Sequence, residues 1–242
     1  MMITKNQVKY IQSLSQKKLR DSEKLFVAEG PKVVGELLAM SSLQCTAIYG
    51  TQEWFDTQQP LAVTESQVIE AGELERISFL TTPNQVLALF RQPVWNHPPG
   101  NWQLLLDGIQ DPGNLGTIIR IADWFGVYSI ICSRDTADCF APKVVQSTMA
   151  SIGRVAVEYA DLREYIAANA GRNYYAATLD GIPLTGVNPR LPATLVIGNE
   201  SKGIRPEVLE GIQHQVTIPR AGEAESLNAA VATGILLSHL TS

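Results

Sequence analysis

Gln103-Leu104-Leu105-Leu106 followed by DGIQDPGNLGTIIR (Asp107–Arg120) sets a short apolar run, a turn and the start of an amphipathic helix in direct succession. A brief apolar run bounded by turn residues reads as a buried strand. Asp-Pro-Gly makes the turn, and Asn114 is placed to cap the helix behind it. Leu115, Ile118, Ile119, Ala122 and Phe125 then form one apolar stripe, which Gly126 ends.

The same strand-then-helix unit recurs to the end of the chain. Further strands are expected at Val127–Cys132, Arg154–Val157, Tyr174–Thr178, Thr194–Ile197 and Gln215–Ile218. Helices are expected at Asn114–Phe125, Pro142–Met149, Leu162–Asn169, Pro206–Glu210 and Asn228–Leu240. Such alternation predicts an α/β fold with a mainly parallel sheet covered on both faces. Ligands gather beyond the carboxyl ends of parallel strands, so the informative residues should follow strands.

Three loops meet that criterion. In the first, Asn114 is followed six residues later by Arg120, about 600° of helical rotation away and hence on a different face. A cap, a packing glycine at Gly116 and a surface charge would explain this stretch equally well. In the second, GNESKGIRPEVLE (Gly198–Glu210), Gly198 and Gly203 permit close backbone approach around Glu200 and Lys202. Glu200 alone is equally a loop carboxylate. In the third, PRAGEAESLNAAVATGILL (Pro219–Leu237), Ser226 or Asn228 serves as a helix cap or as a site residue. The helix behind them is apolar nearly all round, more than one domain of 141 residues readily covers.

Upstream, RQPVWNHPPGN (Arg91–Asn101) carries three prolines and a glycine and continues neither helix nor central strand. The expected organisation is a first domain over 1–92, a linker over 93–101 and a second domain over 102–242. The first reads as a small α/β unit. Thr4 and Gln7 have capping-box spacing ahead of Val8, Ile11 and Leu14. Strands are expected at Leu25–Ala28 and Gln44–Tyr49, with a helix opening at Pro31 and another over Asn84–Phe90.

With 242 residues, 45% hydrophobic and 18% charged, the chain has ordinary globular composition, which excludes general disorder, collagen and coiled coil. Its longest apolar runs fall far short of the roughly 20 residues a membrane helix needs. MMITKNQVKYIQ has no apolar core of a signal peptide. Cys45, Cys132 and Cys139 form neither a disulfide framework nor a zinc motif. These features predict a cytoplasmic protein without membrane contact. The net charge of −5 speaks against nucleic acid, but its distribution does not. Residues 1–32 hold seven basic side chains against three acidic ones, a net of +4 that leaves −9 for the remainder. A basic arm centred on Lys17, Lys18 and Arg20 is either an RNA phosphate contact or a solvated helix face.

Taken together and in order, the three loops resemble the signature motifs of the SpoU (TrmH-like) family of RNA ribose methyltransferases, within the SPOUT superfamily. The first motif is Asn114-Leu115-Gly116 with Arg120. The second is Val196-Ile197-Gly198-Asn199-Glu200-Ser201-Lys202-Gly203-Ile204. The third is Ile218-Pro219 followed by Ser226-Leu227-Asn228-Ala229-Ala230-Val231-Ala232. Ser13–Val34 is similar to the substrate-binding domain that often precedes this catalytic domain. Where many relatives carry an Arg-Ala-Ser-like run, this chain has Gln146 within Val145–Gly153.

The resemblance implies a sheet whose C-terminal part threads a deep trefoil knot, a homodimer formed through the catalytic domain, and S-adenosylmethionine as cofactor. It implies cofactor contacts at Gly198, Ile218 and Leu227, and at Thr178 and Leu179. It gives Arg120 the central role, with Asn114 holding Arg120 or the nucleotide, and Glu200, Ser226 and Asn228 shaping the pocket. The expected reaction is methyl transfer to a ribose 2′-hydroxyl of RNA, ribosomal RNA foremost. The alternatives are a transfer-RNA enzyme, a non-catalytic RNA-binding protein of the same fold, and a small-molecule α/β enzyme. No metal is expected, since His97, His214 and His239 show no ligand spacing.

Overall fold

The computed structural model describes residues 2–59, 63–95 and 99–241. His97 and the middle of the expected linker therefore lie outside the described residues. The chain forms two compact units: Met1–Trp95 with Asp138–Gly153, and Asn96–Ala137 with Arg154–Ser242.

The first unit runs α1 (Lys5–Ser13), α2 (Lys17–Glu23), β1 (Leu25–Glu29), α3 (Pro31–Leu38), β2 (Cys45–Gly50), α4 (Gln52–Asp56), β3 (Glu65–Val68), α5 (Ala71–Ile77) and β4 (Val86–Arg91). The capping box forms as expected, with Thr4 accepting from the Gln7 amide and the Gln7 side chain returning to Thr4. The sheet order is β1-β4-β2-β3, antiparallel except for β2–β3. The helix expected over Asn84–Phe90 is instead the strand β4, paired on both sides. Val86 to Phe90 are all buried, so neither face shows the alternation that marks a half-exposed strand.

The second unit begins with β5 (Trp102–Asp107), α6 (Pro112–Trp124) and β6 (Ser129–Ser133). Next along the chain is α7 (Pro142–Thr148), which belongs to the first unit. Then follow β7 (Ala156–Ala160), α8 (Leu162–Ala168), β8 (Asn173–Pro183), β9 (Ala193–Gly198), α9 (Pro206–Leu209), β10 (His214–Thr217) and α10 (Ala229–Leu240). The six strands lie in the order β10-β8-β9-β5-β6-β7, parallel throughout. Among the described residues, no helix is long and apolar enough to cross a membrane.

Expected to lie in the catalytic domain, Asp138–Gly153 instead packs within the first unit for a local reason. Phe140 stacks on Phe26, which stacks in turn on Phe90, with ring centroids 5.4 and 5.6 Å apart. Gly153 lies against Met40, Leu43 and Leu37, where a β-carbon would overlap the Met40 sulfur.

Arg20 belongs to the same assembly, which corrects its expected role in RNA binding. Its side chain is 3% exposed, ion-paired to Asp138, and donates at 2.7 Å to the carbonyls of Leu14 and of Ser15. A guanidinium so enclosed is not available to a phosphate. Arg20→Ala is expected to cost about 3 kcal/mol of stability by stranding Asp138, whereas Lys18→Ala should stay within about 0.5 kcal/mol. Urea unfolding checks this, and a loss under about 1 kcal/mol for Arg20→Ala would deny the pair its structural role.

Candidate active site

The parallel register brings the expected motifs to one end of the second sheet. Asp107 on β5 pairs with Gly198 on β9, so the first two motif loops leave the sheet side by side. Asp107 is buried and accepts from Arg205 three times: from the backbone N and Nε at 2.8 Å each, and from Nη2 at 2.6 Å. Arg205 also lies 3.6 Å from Asp135, whose carboxyl is held below its usual range by the Ser133 hydroxyl and, more weakly, by Arg205 and Lys202. Asn199 Nδ2 donates to the Gly108 carbonyl at 2.8 Å, while its Oδ1 accepts from the Ser201 and Lys202 amides. Asn199 and Gly203 exchange backbone hydrogen bonds of 2.9 and 3.0 Å across the loop. Gly203 has φ of +69°, and a β-carbon on Gly198 would overlap the Gly203 backbone. Both glycines are thus needed for closure, and the loop presents Glu200 from a pinned base.

Asn114 was expected to cap α6. The cap is Asp111, whose Oδ1 accepts from the Asn114 amide at 2.8 Å. The Asn114 side chain is therefore free for other work. Its Nδ2 donates to Glu200 Oε1 at 2.5 Å, and its Oδ1 accepts from Asn228 Nδ2 at 2.8 Å. Asn228 is the cap of α10, with Oδ1 accepting from the Ala230 and Val231 amides at 3.0 and 3.2 Å. That duty fixes the direction of the chain of amides. With Oδ1 committed to the helix, Asn228 can offer only its NH2 group to Asn114, which must answer with Oδ1 and turn its own NH2 to Glu200. One residue from each motif is thereby joined in a single hydrogen-bonded line.

Two expected members stand outside that line. Arg120 is exposed on α6 and makes no hydrogen bond or ion pair among the described residues. It shares the outward stripe of Thr117 and Trp124, all three exposed. Ser226 is exposed, also without a partner among the described residues. Asn114, Glu200 and Asn228 thus hold one another, and Arg120 is left with all its donors.

Of the expected cofactor residues, Thr178 and Leu179 lie within β8, Gly198 ends β9, Ile218 directly follows β10, and Leu227 lies just before α10. Two residues on from the paired Ala176 and Val196 come Thr178 and Gly198. Thr217 Oγ1 donates to the Leu179 carbonyl at 3.1 Å, tying the stretch around Leu179 to that before Ile218. Leu179 and Leu227 are exposed, and Ile218 is half-buried. Thr178 Oγ1 is buried without a hydrogen-bond partner among the described residues. A buried hydroxyl without a partner, on the strand that pairs with the one ending in Gly198, suits a ligand with polar edges and an apolar body. The donor set thus fits S-adenosylmethionine. Asp107 and Arg205 were not singled out from sequence. The available signal was a charged residue ending an otherwise apolar strand.

Residues 101–238 match the family model described as the SpoU rRNA Methylase family, and residues 5–88 match the MRM3-like substrate binding domain. The chain belongs to the SpoU rRNA methylase family. Among its relatives is the 23S rRNA (guanosine(2553)-2'-O)-methyltransferase RlmP of Bacillus subtilis, 30% identical over 240 residues, covering 98% of this chain and 96% of the relative. The 23S rRNA (guanosine-2'-O-)-methyltransferase RlmB of Photorhabdus laumondii is 30% identical over 210 residues, 82% of this chain and 80% of its own. The AdoMet-bound rRNA methyltransferase from Sinorhizobium meliloti superposes with a TM-score of 0.86 at 31% identity, covering 99% of this chain and 96% of that one. In all three relatives of this SpoU family the match spans both expected domains or most of them.

Of the remaining expectations, Lys17 and Lys18 are exposed on α2, and Lys17 forms a 3.0 Å ion pair with Asp21. His214 stacks on Tyr175 with centroids 4.8 Å apart, and His239 sits in the last turn of α10. Among the described residues, no group of three or more histidine, cysteine or acidic side chains is placed to hold a metal.

Proposed function

We propose that this protein transfers a methyl group from S-adenosylmethionine to a ribose 2′-hydroxyl of RNA, with ribosomal RNA as substrate. The observation that carries this reading is the Asn228–Asn114–Glu200 line, which joins one residue from each of three motifs, Asn114 lying 86 residues from Glu200 and 114 from Asn228 in sequence.

The cofactor supplies an electrophilic methyl on a sulfonium that is already a good leaving group. The chain must therefore bind, orient and remove a proton. Gly198, Ile218 and Leu227 would hold the cofactor largely through backbone groups, with Thr178 Oγ1 donating to it and Leu179 covering it. Arg120 keeps its charge throughout and grips an RNA phosphate with two parallel donors. So held, a phosphate oxygen would accept the 2′-hydroxyl proton while the ribose oxygen takes the methyl carbon and the carbon–sulfur bond breaks, the sulfur keeping the electron pair and leaving as a neutral thioether. Glu200, fixed by Asn114, and Ser226 hydrogen-bond the ribose or Arg120. Lys17 and Lys18 add phosphate contacts from the first domain.

The reading carries a division along the sequence at 1–92, 93–101 and 102–242, with Asp138–Gly153 packed back into the first unit, and a trefoil knot in the C-terminal part of the second domain. It places the protein in the cytoplasm with its ribosomal substrate. It also carries a homodimer. Trp124 is 84% exposed, Val231 52% and Ile235 40%, on α6 and α10, which pack together. Covering such side chains contributes roughly 1.5–3 kcal/mol each. Sedimentation at micromolar concentration should show a dimer, and Val231→Glu with Ile235→Glu a monomer. A fully active wild-type monomer would remove this interface from the account.

Mapping 2′-O-methylation across total RNA from cells with and without the protein tests the function. One position in ribosomal RNA should depend on it. Cofactor binding with no RNA position affected would favour a non-catalytic RNA-binding protein.

A further inference from the structure

A cavity of about 490 Å³ opens in the first unit, and none of the active-site residues lines it. It lies between α1 and one end of the mixed sheet. Leu25, Ala47 and Leu89 give it an apolar floor, Gln7 and Tyr10 a wall, and Glu23, Glu65 and Arg91 a charged rim. Within residues 5–88, matched by the substrate binding domain, lie all of these except Leu89 and Arg91.

The polar groups on this rim are only half used. Tyr10 donates to Glu23 Oε2 at 3.3 Å, and Tyr49 to Glu65 Oε1 at 3.1 Å. Gln7 Nε2 also donates to Glu65 Oε1, at 3.0 Å. Each carboxylate therefore keeps one oxygen, Glu23 Oε1 and Glu65 Oε2, with no donor among the described residues. Burial and the neighbouring carboxylates raise both phenol pKa values, so the rings stay neutral donors. The Arg91 guanidinium acts electrostatically on Tyr10 yet makes no hydrogen bond or ion pair among the described residues.

These groups sort ligands by chemistry. Two carboxylates repel phosphate from the interior and call for adjacent N–H donors. A free guanidinium at the edge calls for a phosphate there. An apolar floor beside a 40% exposed tyrosine ring suits a flat aromatic body. Guanine is the nucleobase whose pairing edge sets two donors side by side, and unpaired bases are read on that edge.

We propose that this cavity binds one unpaired guanosine nucleotide of the RNA, with its base on the floor beside Tyr10, its N–H edge toward Glu65 and its phosphate on Arg91. The inference rests on the RNA-directed reading above but concerns a separate site, so its test is kept separate.

Fluorescence anisotropy of the full-length protein with fluorescein-labelled UUGUU and UUAUU supplies that test. Wild-type protein should prefer UUGUU by about fivefold. Tyr10→Ala should weaken UUGUU about tenfold, while Tyr10→Phe, which keeps the ring, stays within about twofold. Glu65→Gln should erase the preference. Arg91→Ala should weaken both oligonucleotides alike and flatten the log–log salt dependence by about one unit. In methylation of ribosomal RNA from cells lacking the protein, Tyr10→Ala should raise KM for RNA and leave kcat unchanged. Equal affinity for the two oligonucleotides, or wild-type binding by Tyr10→Ala and Arg91→Ala, overturns the pocket even if the enzyme is active. The expected binding pattern in a protein that methylates no RNA overturns the enzymatic reading and leaves the pocket standing.

Discussion

Arg120→Ala should leave S-adenosylmethionine affinity within about threefold, roughly 0.7 kcal/mol, while methyl transfer collapses. The expectation rests on where the side chain is and what it lacks. Arg120 lies on the outward stripe of α6, whereas the cofactor candidates lie within β8, at the end of β9, just after β10 and just before α10. A guanidinium is a poor partner for a sulfonium of like charge and a good one for a phosphate. It is also unengaged among the described residues, so removing it strands no internal partner and should not unfold the protein. Arg120→Lys should rescue little, because an ammonium cannot reproduce the planar fork. Calorimetry on the cofactor and single-turnover methylation at saturating RNA separate the two steps. Lost cofactor binding, or methylation at the wild-type rate, would each remove the assigned role.

Gly198→Ala should act on the other half of the reaction, lowering S-adenosylmethionine affinity at least about tenfold. Here the obstacle is rigid. The new methyl would meet the Gly203 backbone, not the far end of a flexible side chain. Gly198 cannot retreat, because it is the last residue of β9 and pairs with Asp107 on β5. Overpacking of this kind costs about 1–3 kcal/mol, and opening the Asn199–Gly203 loop is the cheapest relief. That displaces Glu200 as well, so turnover falls with affinity. Circular dichroism should show the fold retained. Wild-type affinity in a folded Gly198→Ala protein would mean that the loop does not need its closed form.

Much of this was legible in the residues, and the failures have identifiable physical causes. The parallel sheet announced itself because each strand is a short apolar run ended by turn residues, as in Gln103–Leu106 and Thr194–Ile197. β4 did not, because a strand buried on both faces loses its period of two and reads like a helix core. Asn114 was read as a cap because asparagine commonly is one. Asp111, three residues earlier, took the cap and left Asn114 for Glu200 and Asn228. Asn228, read as a helix cap or a site residue, is the cap of α10 and also donates to Asn114. Arg20 was misread because a run of basic residues suggests solvent or phosphate, and its partner Asp138 lies 118 residues away, beyond any local pattern. Distance in sequence likewise hid the bond between Asp107 and Arg205, which anchors the second motif loop. Thr178 was expected among the cofactor contacts by resemblance alone, and no local pattern could show that its hydroxyl is buried without a partner among the described residues.

Incubating purified protein with methyl-labelled S-adenosylmethionine and ribosomal RNA from cells lacking it, then digesting the RNA and locating the label by mass spectrometry, decides whether this line of residues performs the chemistry assigned to it. The expected result is label on the ribose of a single nucleotide, abolished by Arg120→Ala. Label on a base, or none in any ribosomal RNA while the cofactor binds, would contradict it.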